Sequence, residues 1–190
     1  MILLLAGATQ LAPSVVPEFS DSVRSACTSL LPGERTSNER RTMTILKTLA
    51  CAQADFRAND RDCDGLNQFW RGDVAGLYTV SPPGGLPIRL IDSDVAAADD
   101  RPLATTALPS LWKSFHGYRF RAIRHLDEDP NQPDPQRFAF CAYPARPGAG
   151  KHMFVINENN SVFRCVAEDL NGTDHFPTDD ELKAKWHRGG

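Results

Sequence analysis

Asp60, Asp62 and Asp64 set three carboxylates at alternate positions, with Gly65 directly after them. This is the D-x-D-x-D-G opening of a calcium loop, where alternate side chains converge on the ion and glycine permits the sharp turn. The spacing makes calcium the one candidate cofactor, with these three aspartates as its candidate ligands. Counted from Asp60, the position that should carry a bidentate glutamate holds Arg71, and the nearest later acid is Asp73. Such an incomplete set binds weakly. The alternative is an acidic, solvated turn that ends a helix, with Asp60 and Asp62 bonding local backbone.

Other groups offer less chemistry. Cys141 and His152 fall on neighbouring predicted strands, but the expected register puts them on opposite faces of the sheet, so they make no nucleophile and base pair. The cysteines, Cys27, Cys51, Cys63, Cys141 and Cys165, include no CxxC pair and no zinc spacing with histidine. Cys51 and Cys63 are plausible disulfide partners through a returning loop, with free thiols as the alternative. Cys141 and Cys165 sit two strands apart, about 9 to 10 Å, against the roughly 4.4 to 6.8 Å of bridged Cα atoms, so no bond is expected there. The acidic stretches 92–100 and 127–129 read as solvated loops. Trp70, Trp112 and Trp186 read as core anchors rather than a sugar or peptide groove. No catalytic residue is assigned, and the chain is not expected to be an enzyme.

The elements that must position these groups belong to one domain, since 190 residues suffice for a single core and fall short of two. A formal charge of −3, with both signs scattered, leaves no basic stripe for nucleic acid. Prolines crowd 81–87 and 130–147, which predicts long surface loops.

Residues 1–36 read as an irregular apolar arm. The opening MILLLAGA is far shorter than the roughly 20 apolar residues that span a bilayer. It reads as a signal cleaved near Ala6-Gly7-Ala8, as an arm that packs on the domain or a partner, or as a start placed too late.

Residues 37–190 read as the globular domain. Ser37-Asn38-Glu39 opens a run without glycine or proline that continues to Ala58. Ile45, Leu46, Leu49, Ala52, Gln53 and Phe56 fall on one helical face; Arg40, Thr44, Lys47, Cys51 and Asp55 fall on the other. Gln53, inside the apolar stripe, is expected to bond backbone, because an unpaired buried amide costs about 1 to 3 kcal/mol. Alternating runs at 118–123, 138–145, 152–157 and 162–166 predict an antiparallel meander, with Asn159-Asn160 in the last turn. Pairing Ala145 with Lys151 puts Phe138, Phe140, Ala142, Phe154 and Ile156 on the face that seats the helix, and Cys141, Tyr143 and Val155 on the other. Thr178-Asp179-Asp180-Glu181 forms a capping box before Leu182 and Trp186. The expected fold is α+β: a long N-terminal helix on a β-meander, loop-rich, with a short C-terminal helix.

Several of these segments together resemble a known class. Ser37-Asn38-Glu39-Arg40, the run from Leu46 to Tyr78, Pro87 to Asp92, His116 to Ala122, Phe138 to Pro144 and Phe154 to Asn159 are similar to the soluble domain of pseudopilin-like proteins of the prepilin-type class. They also resemble the uncharacterised bacterial domain family DUF2950. The resemblance covers roughly residues 37–187. It implies an extracytoplasmic protein of a bacterial envelope or periplasm, tied to a type II secretion or type IV pilus-like apparatus, whose partners are other proteins of that apparatus. It implies no catalytic residues. The expected function is that of a non-enzymatic structural or interaction protein, with a calcium-tuned binding module built on Asp60, Asp62 and Asp64 as the alternative.

Overall fold

The computed structural model describes residues 32–103, 113–129 and 134–189. The first helix, α1, spans Pro32–Ala58. Proline suits a first helical position, where its missing N–H has no intrahelical partner to lose. The helix therefore begins five residues before the expected Ser37 start, and residues 32–36 belong to it rather than to an arm; the remainder of the expected arm lies outside the described residues. Asn38 and Glu39 do not cap a helix. Asn38 Nδ2 donates to the carbonyl of Ala149 (3.1 Å), and a Glu39 carboxylate oxygen accepts from the amides of Lys151 (2.7 Å) and His152 (3.1 Å).

Along α1, Leu46, Leu49, Ala52, Gln53 and Phe56 are buried, whereas Arg40, Thr44, Lys47 and Cys51 are exposed. Gln53 is fully buried and bonds Trp70 in both directions: its Nε2 donates to the Trp70 carbonyl (2.8 Å) and its Oε1 accepts from the Trp70 amide (2.9 Å). The amide thus meets both of its needs on one stretch of backbone, as the stripe demands. Just past the helix, Asp60 has φ 44°, the left-handed turn that stops helical continuation.

Four strands follow as an antiparallel meander: β1 (Tyr118–His125), β2 (Ala139–Pro144), β3 (His152–Asn157) and β4 (Val162–Val166). Ala139 stands opposite Asn157 and Phe140 opposite Ile156, the register that an Ala145 to Lys151 pairing requires. Two short strands complete a six-stranded sheet in the order β5-β1-β2-β3-β4-β6, with β5 at His175–Phe176 and β6 at His187–Arg188. Because β5 runs parallel to β1, the sheet is mixed and exceeds the expected meander.

The sheet separates two clusters. Phe120, Phe138, Phe140, Phe154 and Ile156 pack with Leu46, Leu49 and Ala52 of α1; burying each large side chain contributes about 1.5 to 3 kcal/mol. Ile123, Ala139, Cys141, Tyr143, Val155 and Phe176 form the second cluster, against which Leu182 and Trp186 pack. Those two residues are carried by α4 (Asp179–Ala184) and the residues just after it. Thr178 and Glu181 form the expected capping box.

Two short helices, α2 (Gly76–Thr79) and α3 (Ser93–Ala97), close the first core. They are fastened by carboxylates that the sequence reading placed in solvent. Asp99 is 1% exposed, accepting from the amides of Ala75 (2.8 Å) and Arg101 (2.9 Å). Burial above all pushes its carboxyl up to about 6. Asp100 is also buried and accepts from Arg121 Nε (3.0 Å). The stretch 92–100 is therefore not a solvated loop at its end, because polar groups that finish backbone hydrogen bonding can be held in a core.

Candidate functional site

Asp60, Asp62 and Asp64 do come together: one carboxylate oxygen from each lies within 4.8 Å of the others, and among the described residues this is the group that could hold a metal ion. Two of them are also bonded locally. Asp60 accepts from the amides of Asp64 (3.2 Å) and Gly65 (3.0 Å), while Asp64 accepts from the Leu66 amide (2.8 Å) and from Gln68 Nε2 (2.5 Å). The loop is wound tightly by Cys63 at φ 56° and Gly65 at φ 81°. Asp62 differs, since its Oδ1 is buried without a hydrogen-bond partner. Burial, reinforced by the charges of Asp64 and Asp60, pushes its carboxyl above the ordinary range. Chemically the trio could hold one hard cation, which would relieve that repulsion.

The later acid and base of the motif are engaged elsewhere. Asp73 is buried and accepts from the amides of Gly76 (2.8 Å) and Leu103 (2.6 Å), while Arg71 pairs with Glu128 (2.9 Å). Glu128, expected in a solvated loop, has a side chain only 4% exposed. Cys51, Cys63, Cys141 and Cys165 are all free thiols, so no disulfide joins Cys51 to Cys63. Cys141 lies on the second face, opposite Val155, and its thiol is pushed up to about 12 by burial. His152 instead bonds Glu39 from the helix side (3.1 Å). Trp70 is an anchor, with its indole N–H donating to the Asp73 carbonyl (2.8 Å). Trp112 lies outside the described residues.

A second cluster carried no spacing signal. Residues 123 and 125 of β1, 139 of β2 and 157 of β3 share the second face by strand parity. There His125, 5% exposed, meets Arg137, whose Nη2 lies 2.6 Å from the imidazole Nδ1. A guanidinium can only donate, so Nδ1 accepts and the ring proton sits on Nε2. That nitrogen lies 3.4 Å from the Phe138 carbonyl and 3.5 Å from Glu158 Oε2. Burial acts to raise the Glu158 carboxyl, but the approach of His125, its own backbone amide and the positive charge nearby hold it below the ordinary range. These groups line one side of a cavity of about 660 Å³, and Phe163, Phe176 and Leu182 line another. The signal that would have found them is the strand register, not the spacing in the chain.

A further cavity of about 420 Å³ opens beside Met153, Cys165, His175 and Trp186. On the same face Arg121 reaches Asp100 and Asp174 and lies over the Tyr143 ring at 5.2 Å. This buried ion pair ties the first core's loops to the second face. Among the described residues, no helix is long and apolar enough to cross a membrane. Comparison with protein-family profiles, with curated proteins and with solved structures gives no match.

Proposed function

We propose that this protein is a non-enzymatic interaction protein of the bacterial envelope, built on a pseudopilin-like domain and working with other proteins of a secretion or pilus-like apparatus. The observation that supports this reading is the disposition of α1. Its part from Thr42 onward supplies the buried stripe, whereas Gly33, Thr36, Arg40 and Arg41 in its first turns are exposed. A helix that the domain holds along one face while the other face of its first turns stays exposed is suited to lateral contact with neighbouring subunits. Photo-crosslinking from positions 33 and 40 in the native host tests it. Adducts with envelope proteins are expected; recovery of uncrosslinked protein alone from both positions would reject the reading.

A second reading is a calcium-tuned binding module, favoured by the convergence of Asp60, Asp62 and Asp64 within 4.8 Å. Calcium relieving the repulsion at Asp62 would stiffen the junction between α1 and Trp70. Calorimetry with millimolar calcium should give heat that Asp62→Ala abolishes, and the absence of heat would remove the reading.

A further inference from the structure

We propose that the cavity beside His125 binds an organic cation with an apolar stem: an alkylguanidinium or alkylammonium, as carried by an arginine or lysine side chain or by a polyamine. This does not depend on the preceding reading of the chain's role.

The first argument is charge. Asp127, Glu158, Asp179 and Asp180 line the cavity against one cation, Arg137, whose Nη1 is already bound to Asp127 at 2.8 and 2.9 Å. An excess of carboxylates around a partly enclosed, low-dielectric wall favours cations.

The second argument is an unmet acceptor. Asn157 is 7% exposed, lines the cavity, and its Oδ1 is buried with no hydrogen-bond partner. Strand parity sets it on the face of Val155 and Met153, towards the cavity and away from α1. Glu158 Oε2, next to it, has only the 3.5 Å approach of His125 and makes no well-formed hydrogen bond. Two acceptors short of donors, side by side, suit a ligand that donates several N–H groups from one head; both oxygens are closed to solvent in the free protein, so their side chains turn towards the cavity to meet it.

The third argument is shape. The carboxylates of this cavity do not converge as a metal site does, since among the described residues that geometry belongs to Asp60, Asp62 and Asp64. Phe163, Phe176 and Leu182 supply apolar wall, with the two phenyl rings 6.1 Å apart and edge to face. A compact metal ion has no use for such a wall, whereas a methylene stem packs on it and aromatic faces attract cations. The volume, about 660 Å³, fits a side-chain-sized ligand.

The test is a heteronuclear NMR titration of the full chain, following the Asn157 side-chain amide and the His125 ring. N-acetyl-arginine methylamide should bind about tenfold more tightly than its uncharged norleucine counterpart. Spermidine binding more tightly than the arginine compound assigns the source to free polyamines; the reverse assigns it to a partner's side chain. Asn157→Leu should weaken arginine binding about tenfold while leaving folding stability equal or higher, because Oδ1 has no bond to lose in the free protein. Should that variant and Glu158→Gln both fail to fold, the exposed Asp180→Asn replaces them, with an expected weakening of about threefold. Equal binding of the norleucine compound, magnesium shifting the same resonances at lower concentration, or undiminished affinity in every folded variant would overturn the proposal.

Discussion

Glu39 and His152 stand 113 positions apart, yet one carboxylate oxygen of Glu39 accepts from the amide and faces the Nδ1 of His152, each at 3.1 Å, while also accepting from the Lys151 amide. A helix side chain thus replaces the strand partner that the first residues of β3 lack on that side. Glu39→Ala should cost about 1 to 2 kcal/mol, because it leaves a partly buried amide without an acceptor. Glu39→Gln, which keeps an acceptor oxygen, should cost less than half as much. Urea unfolding of the two variants distinguishes these values, and an unchanged midpoint in Glu39→Ala would show that water satisfies the amides.

The loop that Glu39 holds is also fitted to Tyr118. A Cβ at Gly150 would run into the Tyr118 hydroxyl, which donates to the His152 carbonyl at 2.9 Å. Gly150→Ala should therefore destabilise the protein by about 1 to 3 kcal/mol through overpacking. In the Tyr118→Phe background the same change should be milder but still costly, since the oxygen is gone while two ring carbons remain 2.6 and 2.9 Å from that Cβ. Equal costs in the two backgrounds would place the strain elsewhere.

Asp99 makes stability depend on pH. Its folded pKa, raised to about 6 by burial, exceeds the unfolded value near 3.9, so the folded state binds the proton more tightly. The contribution is full below about pH 4 and is lost as pH rises to about 6, an amount on the order of 2 to 3 kcal/mol. Asp99→Asn removes this titration, so the stability of the native protein relative to the variant should fall across that window. A constant difference between pH 4 and 7 would contradict the assignment.

Thiol reactivity should follow burial. Cys51 and Cys63, both exposed, should label readily with a disulfide reagent in the folded protein, whereas Cys141, buried with its thiol pushed up to about 12, should label only on unfolding. Mass spectrometry of the labelled peptides checks the order. Rapid labelling of Cys141 would imply that the second face opens without global unfolding.

Periodicity made much of this architecture legible. The stripe from Leu46 to Phe56, the alternation around Phe140 and Phe154, and the register between β2 and β3 follow from local patterns of period 3.6 and 2. Even the need of Gln53 for backbone could be read, because a buried amide must find partners. The helix start was misplaced because Ser37-Asn38-Glu39 has the composition of a cap while its side chains serve the distant loop at Ala149 to His152. The two-residue strands at His175 and His187 have no period to detect, and the burial of Asp99 and Asp100 depends on amides from other segments. Of the candidate sites, the aspartate trio was visible because it is local in the chain. The cavity at His125 was not, since it exists only after β1, β3, β4 and β5 have been gathered into one sheet.

One feature of the sheet bears on assembly. The segment from His175 to Arg188 contributes β5 along one outer strand and β6 along the other, and Asp99 adds a bridge to Phe120 on the β1 side. Backbone groups at both margins are thereby occupied from within, which leaves little template for an incoming strand. During synthesis the margin beside β1 stays open until position 176 has emerged from the ribosome and the margin beside β4 until position 188, so a nascent chain is exposed to mispairing along β4 for longer. Once the bracket is shut, lateral growth by strand addition is disfavoured, and any higher-order architecture must be built through helices, loops or side-chain pockets.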